Sequence, residues 1–302
     1  MVTGKRRLSP SKAIWCVGDK VDSNYESSCA RYVTWERRFE KDANVHDMYK
    51  SIGDIDEARY AAKLVQDGVQ FVREQEFTYP IGNTSITIEG RYDFKITDSF
   101  GDLLVEKKSI TSANRAREII TKGNIDQKHL AQLVSYMAIH KILRGRLAYS
   151  FWKWAEDLDG FVVDADRSYE VEISPAGAIS IDGQAFPRHV RDVQKWYRMV
   201  ADALEQAEAK LPDRPLTKAG WQNPCKNCPL AVSCDKYDID KNITDFWHDT
   251  KNLEARPGKP AEIIAPKIKK GRKNEQVSNE VDPNNDTGRI QDKTGKHKWE
   301  VD

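Results

Sequence analysis

The sequence predicts a mixed α/β fold in which one sheet is flanked by helices. Apolar and polar residues alternate along 84–97, which is the period of a strand. Apolar residues recur at three and four positions along 126–143 and 188–210, which is the period of an amphipathic helix. Strand-like and helical segments also follow one another along the chain, and this order is typical of helices that pack on one sheet.

The predicted elements rest on the apolar pattern within them, and Gly68, the SFGD and SPAG turns and Pro187 mark some of their ends. In chain order they are a helix near 29–40, a helix over 55–68 that Gly68 ends, strands over 69–79, 84–97 and 103–109, a helix over 126–143, a buried strand over 146–154, a hairpin over 168–183, and a helix over 188–210 with Pro187 at its start.

Length and composition restrict the class of protein. The 302 residues are enough for one large domain, predicted over 1–250, and a net charge of +1 neither supports nor excludes nucleic acid. Residues 251–302 have few large apolar side chains, so a disordered polar tail is predicted there. No segment approaches the roughly 20 apolar residues of a membrane span, and the N-terminus lacks the apolar core of a signal peptide. We therefore expect a cytoplasmic protein with no membrane association.

The strand LLVEKKS carries charged residues where a buried strand carries apolar ones. Because residues two apart face the same side of a strand, Glu106 and Lys108 project together and Lys107 projects to the other side. Asp93 lies near the end of the preceding strand, so the connecting turn can bring it to the same edge. Clustered carboxylates repel each other unless a cation lies between them, and Mg²⁺ prefers carboxylate oxygen. The cluster indicates metal-assisted phosphodiester hydrolysis, and the alternative is a hairpin with one exposed charged face.

The stretches GRYD, VEKKS and QLVSY, in this order, resemble the motifs of the PD-(D/E)xK nuclease superfamily in its RecB-like branch. The resemblance covers about residues 25–237 and implies a restriction-endonuclease-like sheet. The roles that it implies are Mg²⁺ or Mn²⁺ ligands at Asp93 and Glu106, a catalytic Lys108, and supporting side chains at Gln132 and Tyr136.

A further metal ligand of this branch comes from the first helix, soon after a glycine. Here Glu57 follows Gly53 by four positions, where relatives often have histidine, and this is a departure from the pattern. Asp56 and His46 are the alternatives. The alternative without a functional role is that Glu57 is a surface acid in the first turn of a helix.

Three of the five cysteines form a C-x₂-C-x₅-C pattern at Cys225, Cys228 and Cys234. A C-x₂-C pair beside a third cysteine directs its sulfur atoms to one centre, so a bound metal or cluster is predicted. A fourth ligand must come from Cys16 or Cys29. Spacing alone does not separate a zinc site from an iron–sulfur cluster.

The resemblance extends to this pattern. Iron–sulfur members of the RecB-like branch, of the CRISPR-associated adaptation exonuclease and AddAB nuclease-domain type, place one cysteine before the nuclease core and three after it. By this likeness Cys29 is the fourth ligand of a [4Fe–4S] cluster that joins the two ends of the domain, with zinc as the alternative. Cys16 is then a small apolar residue.

The sequence therefore predicts a metal-dependent DNA exonuclease that acts at DNA ends in recombination, repair or replication, with a phage or mobile-element origin as an option. The alternative is a non-catalytic DNA-end or partner-binding module with a structural cluster or zinc. A sequence-specific endonuclease ranks lower, because no separate recognition domain is evident. The basic stretch Lys267–Lys273 in the tail could add DNA affinity or dock a recombination or replication protein.

Overall fold

The structure, a computed structural model, describes residues 7–22, 26–39, 47–206, 209–216, 223–226, 228–251 and 253. His46 and nearly all of the predicted tail lie outside the described residues. The strands are β1 (Arg7–Leu8), β2 (Trp15–Val17), β3 (Lys20–Asp22), β4 (Phe71–Pro80), β5 (Thr87–Asp98), β6 (Gly101–Ile110), β7 (Arg144–Ala155), β8 (Gly160–Ile173), β9 (Ala178–Ile181) and β10 (Gln184–His189). The helices are α1 (Ala30–Arg38), α2 (Asp47–Gln66), α3 (Ala113–Lys122), α4 (Gln127–His140), α5 (Val190–Glu205), α6 (Ala231–Asp240) and α7 (Ile243–Lys251).

One mixed sheet of eight strands organises the described part of the chain, in the order β1-β5-β6-β7-β8-β9-β10 with β4 paired to β5. β5 and β6 form an antiparallel hairpin that closes where Asp98 pairs with Gly101. Gly101 has φ +101°, a conformation that L side chains rarely adopt. β6 and β7 are parallel, and the connection between them contains α3 and α4, because a parallel pair needs a crossover. The predicted mixed α/β sheet with flanking helices is confirmed.

Apolar clusters lie on both faces of the sheet. On one face, Leu104 and Leu147 belong to a cluster that includes residues of α4 and α5, among them Leu133 and Trp196. On the other face, Leu64 of α2 belongs to a second cluster with residues of β5, β6 and β7. The central strands are therefore covered on two sides, which explains the consecutive buried apolar residues Leu103, Leu104 and Val105 of β6.

Two details differ from the prediction. The helix predicted to start at Pro187 begins at Val190, and Pro187 lies in β10. His189 sets the start, because its side chain accepts the N–H of Arg191 at 3.0 Å and its own N–H is bonded to Asp192 at 2.9 Å. The N-terminal segment also contains β1, β2 and β3, which are too short for periodicity to reveal. Among the described residues, no helix is long and apolar enough to cross a membrane.

Candidate active site

The β5–β6 hairpin brings Asp93 beside Glu106. The last regular pair of the ladder is Phe94 with Val105. One residue further, the Asp93 carboxylate accepts the backbone N–H of Lys107 at 2.7 Å. The side chain thus takes a hydrogen bond at the point where the two strands diverge, and this fixes the carboxylate against β6.

Glu106 is completely buried, and Lys108 forms an ion pair with its Oε1 atom. The other carboxylate oxygen of Glu106, Oε2, is buried and has no hydrogen-bond partner among the described residues. Burial, followed by the nearby Asp93 carboxylate, raises the pKa of Glu106 from 4.5 to about 8, and Lys108 opposes this rise. Burial works to lower the pKa of Lys108, but the carboxylates of Glu106 and Asp93 raise it overall. The raised pKa of Lys108 reflects the negative charge of these acids, whereas that of Glu106 reflects its burial first and the Asp93 carboxylate second.

Helix α2 adds Glu57 to this group and directs Asp56 elsewhere. The pKa of Glu57 is raised, first by burial and then by the Asp93 carboxylate, while Arg73 lies 3.4 Å from it and opposes the rise. Asp56 instead accepts hydrogen bonds from Lys107 and Ser109. Of the described first-helix alternatives, Glu57 is therefore the one that interacts with the acids of the hairpin.

Helix α4 supports the strand that carries Asp93. Gln132 Nε2 donates to the Tyr136 hydroxyl at 3.0 Å, and this hydroxyl donates to the carbonyl oxygen of Arg91 at 3.1 Å. Burial and then the Glu106 carboxylate raise the pKa of Tyr136. The phenol therefore stays protonated and its O–H group remains a hydrogen-bond donor. The four-residue spacing places both side chains on one helix face, where they form a chain of hydrogen bonds to β5.

The donor set fits a hard divalent cation in its chemistry. Glu57, Asp93 and Glu106 present carboxylate oxygens. Oε2 of Glu106 is buried without a hydrogen bond, which is costly unless a cation or a proton compensates its charge. No three His, Cys, Asp or Glu side chains of the described residues are already grouped closely enough to hold a metal ion. Lys108, which contacts Glu106, lies among the acids and neutralises part of their charge.

A buried polar network on the opposite face of β6 was not foreseen from the sequence. Lys107 donates to Asp56 and Ser150, and Ser150 also bonds to Asp166 of β8. The available signal was Lys107 itself, a charged residue at a position whose neighbours on the same face are apolar. The periodicity placed it on that face but did not identify its partner.

The cysteines of the two terminal segments approach each other. Cys29 precedes the first residue of α1 and is buried, which raises its pKa to about 11. The backbone N–H groups of Tyr32 and Arg31 oppose this rise, whereas the thiols of Cys234 and Cys225 add to it. Cys228 packs against the apolar cluster that includes Cys234. These four residues fit a thiolate-bound group in their chemistry, because backbone N–H groups of α1 and the thiols of Cys234 and Cys225 act on Cys29.

Arg31 fastens the two segments together beside these cysteines. Its Nη2 bonds to Asp238 of α6 at 2.8 Å, and its Nε bonds to the carbonyl oxygen of Pro212 at 2.6 Å. It also lowers the pKa of Cys234, although burial raises that pKa overall. Cys16 lies in β2 as part of the main core, where burial raises its pKa to about 12.

No protein-family model and no curated protein matches the chain. Several solved structures are similar to it, among them the following three. SSO0001 is 16% identical with a TM-score of 0.40, over 77% of this chain and 87% of that one. LHK-Exo in complex with dAMP, an alkaline exonuclease from Laribacter hongkongensis, is 11% identical with a TM-score of 0.39, over 67% and 92%. A phage-related exonuclease from Haemophilus somnus is 14% identical with a TM-score of 0.40, over 60% and 81%. At these values the likenesses assign neither a family nor an activity to this chain.

Proposed function

We propose that the chain is a metal-dependent nuclease of the PD-(D/E)xK type, in its RecB-like branch, that hydrolyses phosphodiester bonds at DNA ends. The observation that carries the proposal is the meeting of Asp93, Glu106 and Lys108 at one hairpin, with Glu57 supplied by α2. Buried acids with raised pKa values beside a lysine are characteristic of a catalytic site rather than of a solvated strand face.

Glu57, Asp93 and Glu106 would hold Mg²⁺ or Mn²⁺, which when bound supplies an activated water and stabilises charge on the phosphate. Lys108 would then leave Glu106 and orient the attacking water or offset the charge on the phosphate. Gln132 and Tyr136 keep β5 in place through the Arg91 carbonyl group. DNA with free ends is the proposed substrate, in recombination, repair or replication, and the predicted tail is the proposed contact for a protein of those processes.

The test is degradation of end-labelled linear DNA beside covalently closed circular DNA, with Mg²⁺ or Mn²⁺. Lys108→Ala should abolish cutting. The matched control is Lys95→Ala, because Lys95 lies on the same hairpin and its ion pair is with Asp102, at 3.5 Å, and not with an acid of the candidate site. Wild-type protein that digests only DNA with ends, together with an inactive Lys108→Ala variant and an active control, would support the proposal.

Wild-type protein that binds DNA ends and never cuts them would refute nuclease activity. That result would favour the second class of function, a non-catalytic DNA-end or partner-binding module. Cutting of covalently closed circular DNA would refute the requirement for DNA ends, but the proposal of nuclease activity would stand.

We also propose that Cys29, Cys225, Cys228 and Cys234 bind a [4Fe–4S] cluster, with zinc as the alternative. The support is the effect of Cys234 and Cys225 on the pKa of Cys29 and the packing of Cys228 against the apolar cluster that includes Cys234. Protein purified without oxygen would be assayed for iron, sulfide and zinc. Cys228→Ser should lose the bound group and Cys16→Ser should retain it, whereas equal contents in the two variants would contradict the assignment.

A further inference from the structure

Lys107 lies between the two charged residues of the candidate site, but its side chain extends to the opposite face of β6. There its Nζ donates hydrogen bonds to Asp56 of α2 and to Ser150 of β7. The side chain of Lys107 is 2% exposed and that of Asp56 is 0% exposed. Because a buried ammonium is costly without a partner, these contacts restrict the pair to one geometry.

The backbone of Lys107 also contacts β5, the strand that carries Asp93. The N–H of Lys107 donates to the Asp93 carboxylate at 2.7 Å. In sequence, Glu57 follows Asp56 directly, and Glu106 precedes Lys107 directly. The elements that carry the three acids, α2, β5 and β6, therefore meet at this one lysine.

Further polar contacts fix the same part of α2. Ser109 donates to Asp56 at 2.7 Å, and Arg59 bonds to Asp56 at 3.1 Å and to Asp166 of β8 at 2.9 Å. The apolar cluster on this face includes α2 residues that lie after Asp56, namely Tyr60, Ala61 and Leu64. Polar contacts around Asp56 thus set the position of the turn of α2 that carries Glu57.

We propose that Lys107 is a positioning residue, which through Asp56 fixes Glu57 relative to Asp93 and Glu106. The effect on cation binding rests on the proposed function, in which the three acids hold a divalent cation. The joint between α2 and β6, namely the contact of Asp56 with Lys107, does not depend on that function. Lys107 touches neither substrate nor cation and acts through the acids beside it.

The experiment compares wild type, Lys107→Met, Asp56→Asn and the double variant, with Lys95→Met as the matched control. Mn²⁺ affinity is measured by titration calorimetry, and amide hydrogen exchange is measured for the segment 50–60. We expect about tenfold or greater loss of Mn²⁺ affinity in each single variant, as for residues that orient metal ligands. Both single variants break the same Asp56–Lys107 contact. The double variant should therefore lose no more Mn²⁺ affinity than the single variant with the larger loss. Exchange in 50–60 should accelerate in all three and stay unchanged in the control.

Unchanged Mn²⁺ affinity and unchanged exchange in Lys107→Met would overturn the proposal while the nuclease hypothesis stands. If the wild type binds no Mn²⁺, the proposed function fails, and exchange in 50–60 alone decides whether the joint exists. If the single variants do not fold, the apolar pair Asp56→Leu with Lys107→Met replaces them, since such pairs often restore stability. Folded protein with Mn²⁺ affinity lost would then support the proposal, and wild-type affinity would overturn it.

Discussion

Replacement of Glu106 by glutamine should change how the stability of the protein depends on pH. The unfolded chain ionises this carboxyl near 4.5, whereas burial and the Asp93 carboxylate move its pKa in the folded protein to about 8. Between these values the folded state binds one more proton than the unfolded state. The stability of the wild type therefore falls as pH rises through this window, and glutamine removes that dependence.

The magnitude follows from the two pKa values. A separation of about 3.5 pH units, at 1.36 kcal/mol per unit, gives a limit of about 5 kcal/mol. Relative to the wild type, Glu106→Gln should therefore gain up to about 5 kcal/mol between about pH 4.5 and about pH 8, and about 3 kcal/mol of this by pH 7. Any fixed cost of burying the amide shifts the whole curve without changing its slope.

Urea unfolding followed by tryptophan fluorescence, at intervals from about pH 5 to about pH 9 and with a chelator present, measures this difference. Glu89→Gln is the control, because Glu89 lies on β5 and is only half-buried beside Arg7. Added Mn²⁺ should reduce the advantage of Glu106→Gln at high pH, since a cation would compensate the carboxylate. Parallel stability curves for wild type and Glu106→Gln over this range would refute the reasoning.

Two further substitutions test the packing around the site. Gly145→Ala should destabilise the protein by about 1–3 kcal/mol in urea unfolding, because the new methyl group would lie 2.5 Å from the sulfur of Met137 and 3.2 Å from Leu133; wild-type stability would show that these side chains move aside freely. Tyr136→Phe removes the hydroxyl that donates to the Arg91 carbonyl, so it should cost about 1 kcal/mol of stability and reduce DNA cutting; full cutting by this variant would exclude a supporting role.

Local sequence predicted those parts of the candidate site that depend on neighbouring residues. Strand alternation placed Glu106 and Lys108 on one face, and the short turn after β5 brought Asp93 to them, because a hairpin fixes its own register. The four-residue spacing likewise placed Gln132 and Tyr136 together on α4. These predictions needed no knowledge of how the elements pack.

Only the tertiary structure decided which residue of α2 faces the acids. Glu57 and Asp56 are adjacent and chemically alike, but Asp56 pairs with Lys107, 51 positions away, whereas Glu57 interacts with Asp93. The approach of Cys29 to Cys234 is equally non-local. Periodicity reports which face of an element is buried, but the partner across that face is chosen by packing between distant segments. The sequence by itself therefore determined the elements and which hairpin side chains share a face, and the packing of distant segments decided that Asp56 pairs with Lys107 while Glu57 interacts with Asp93.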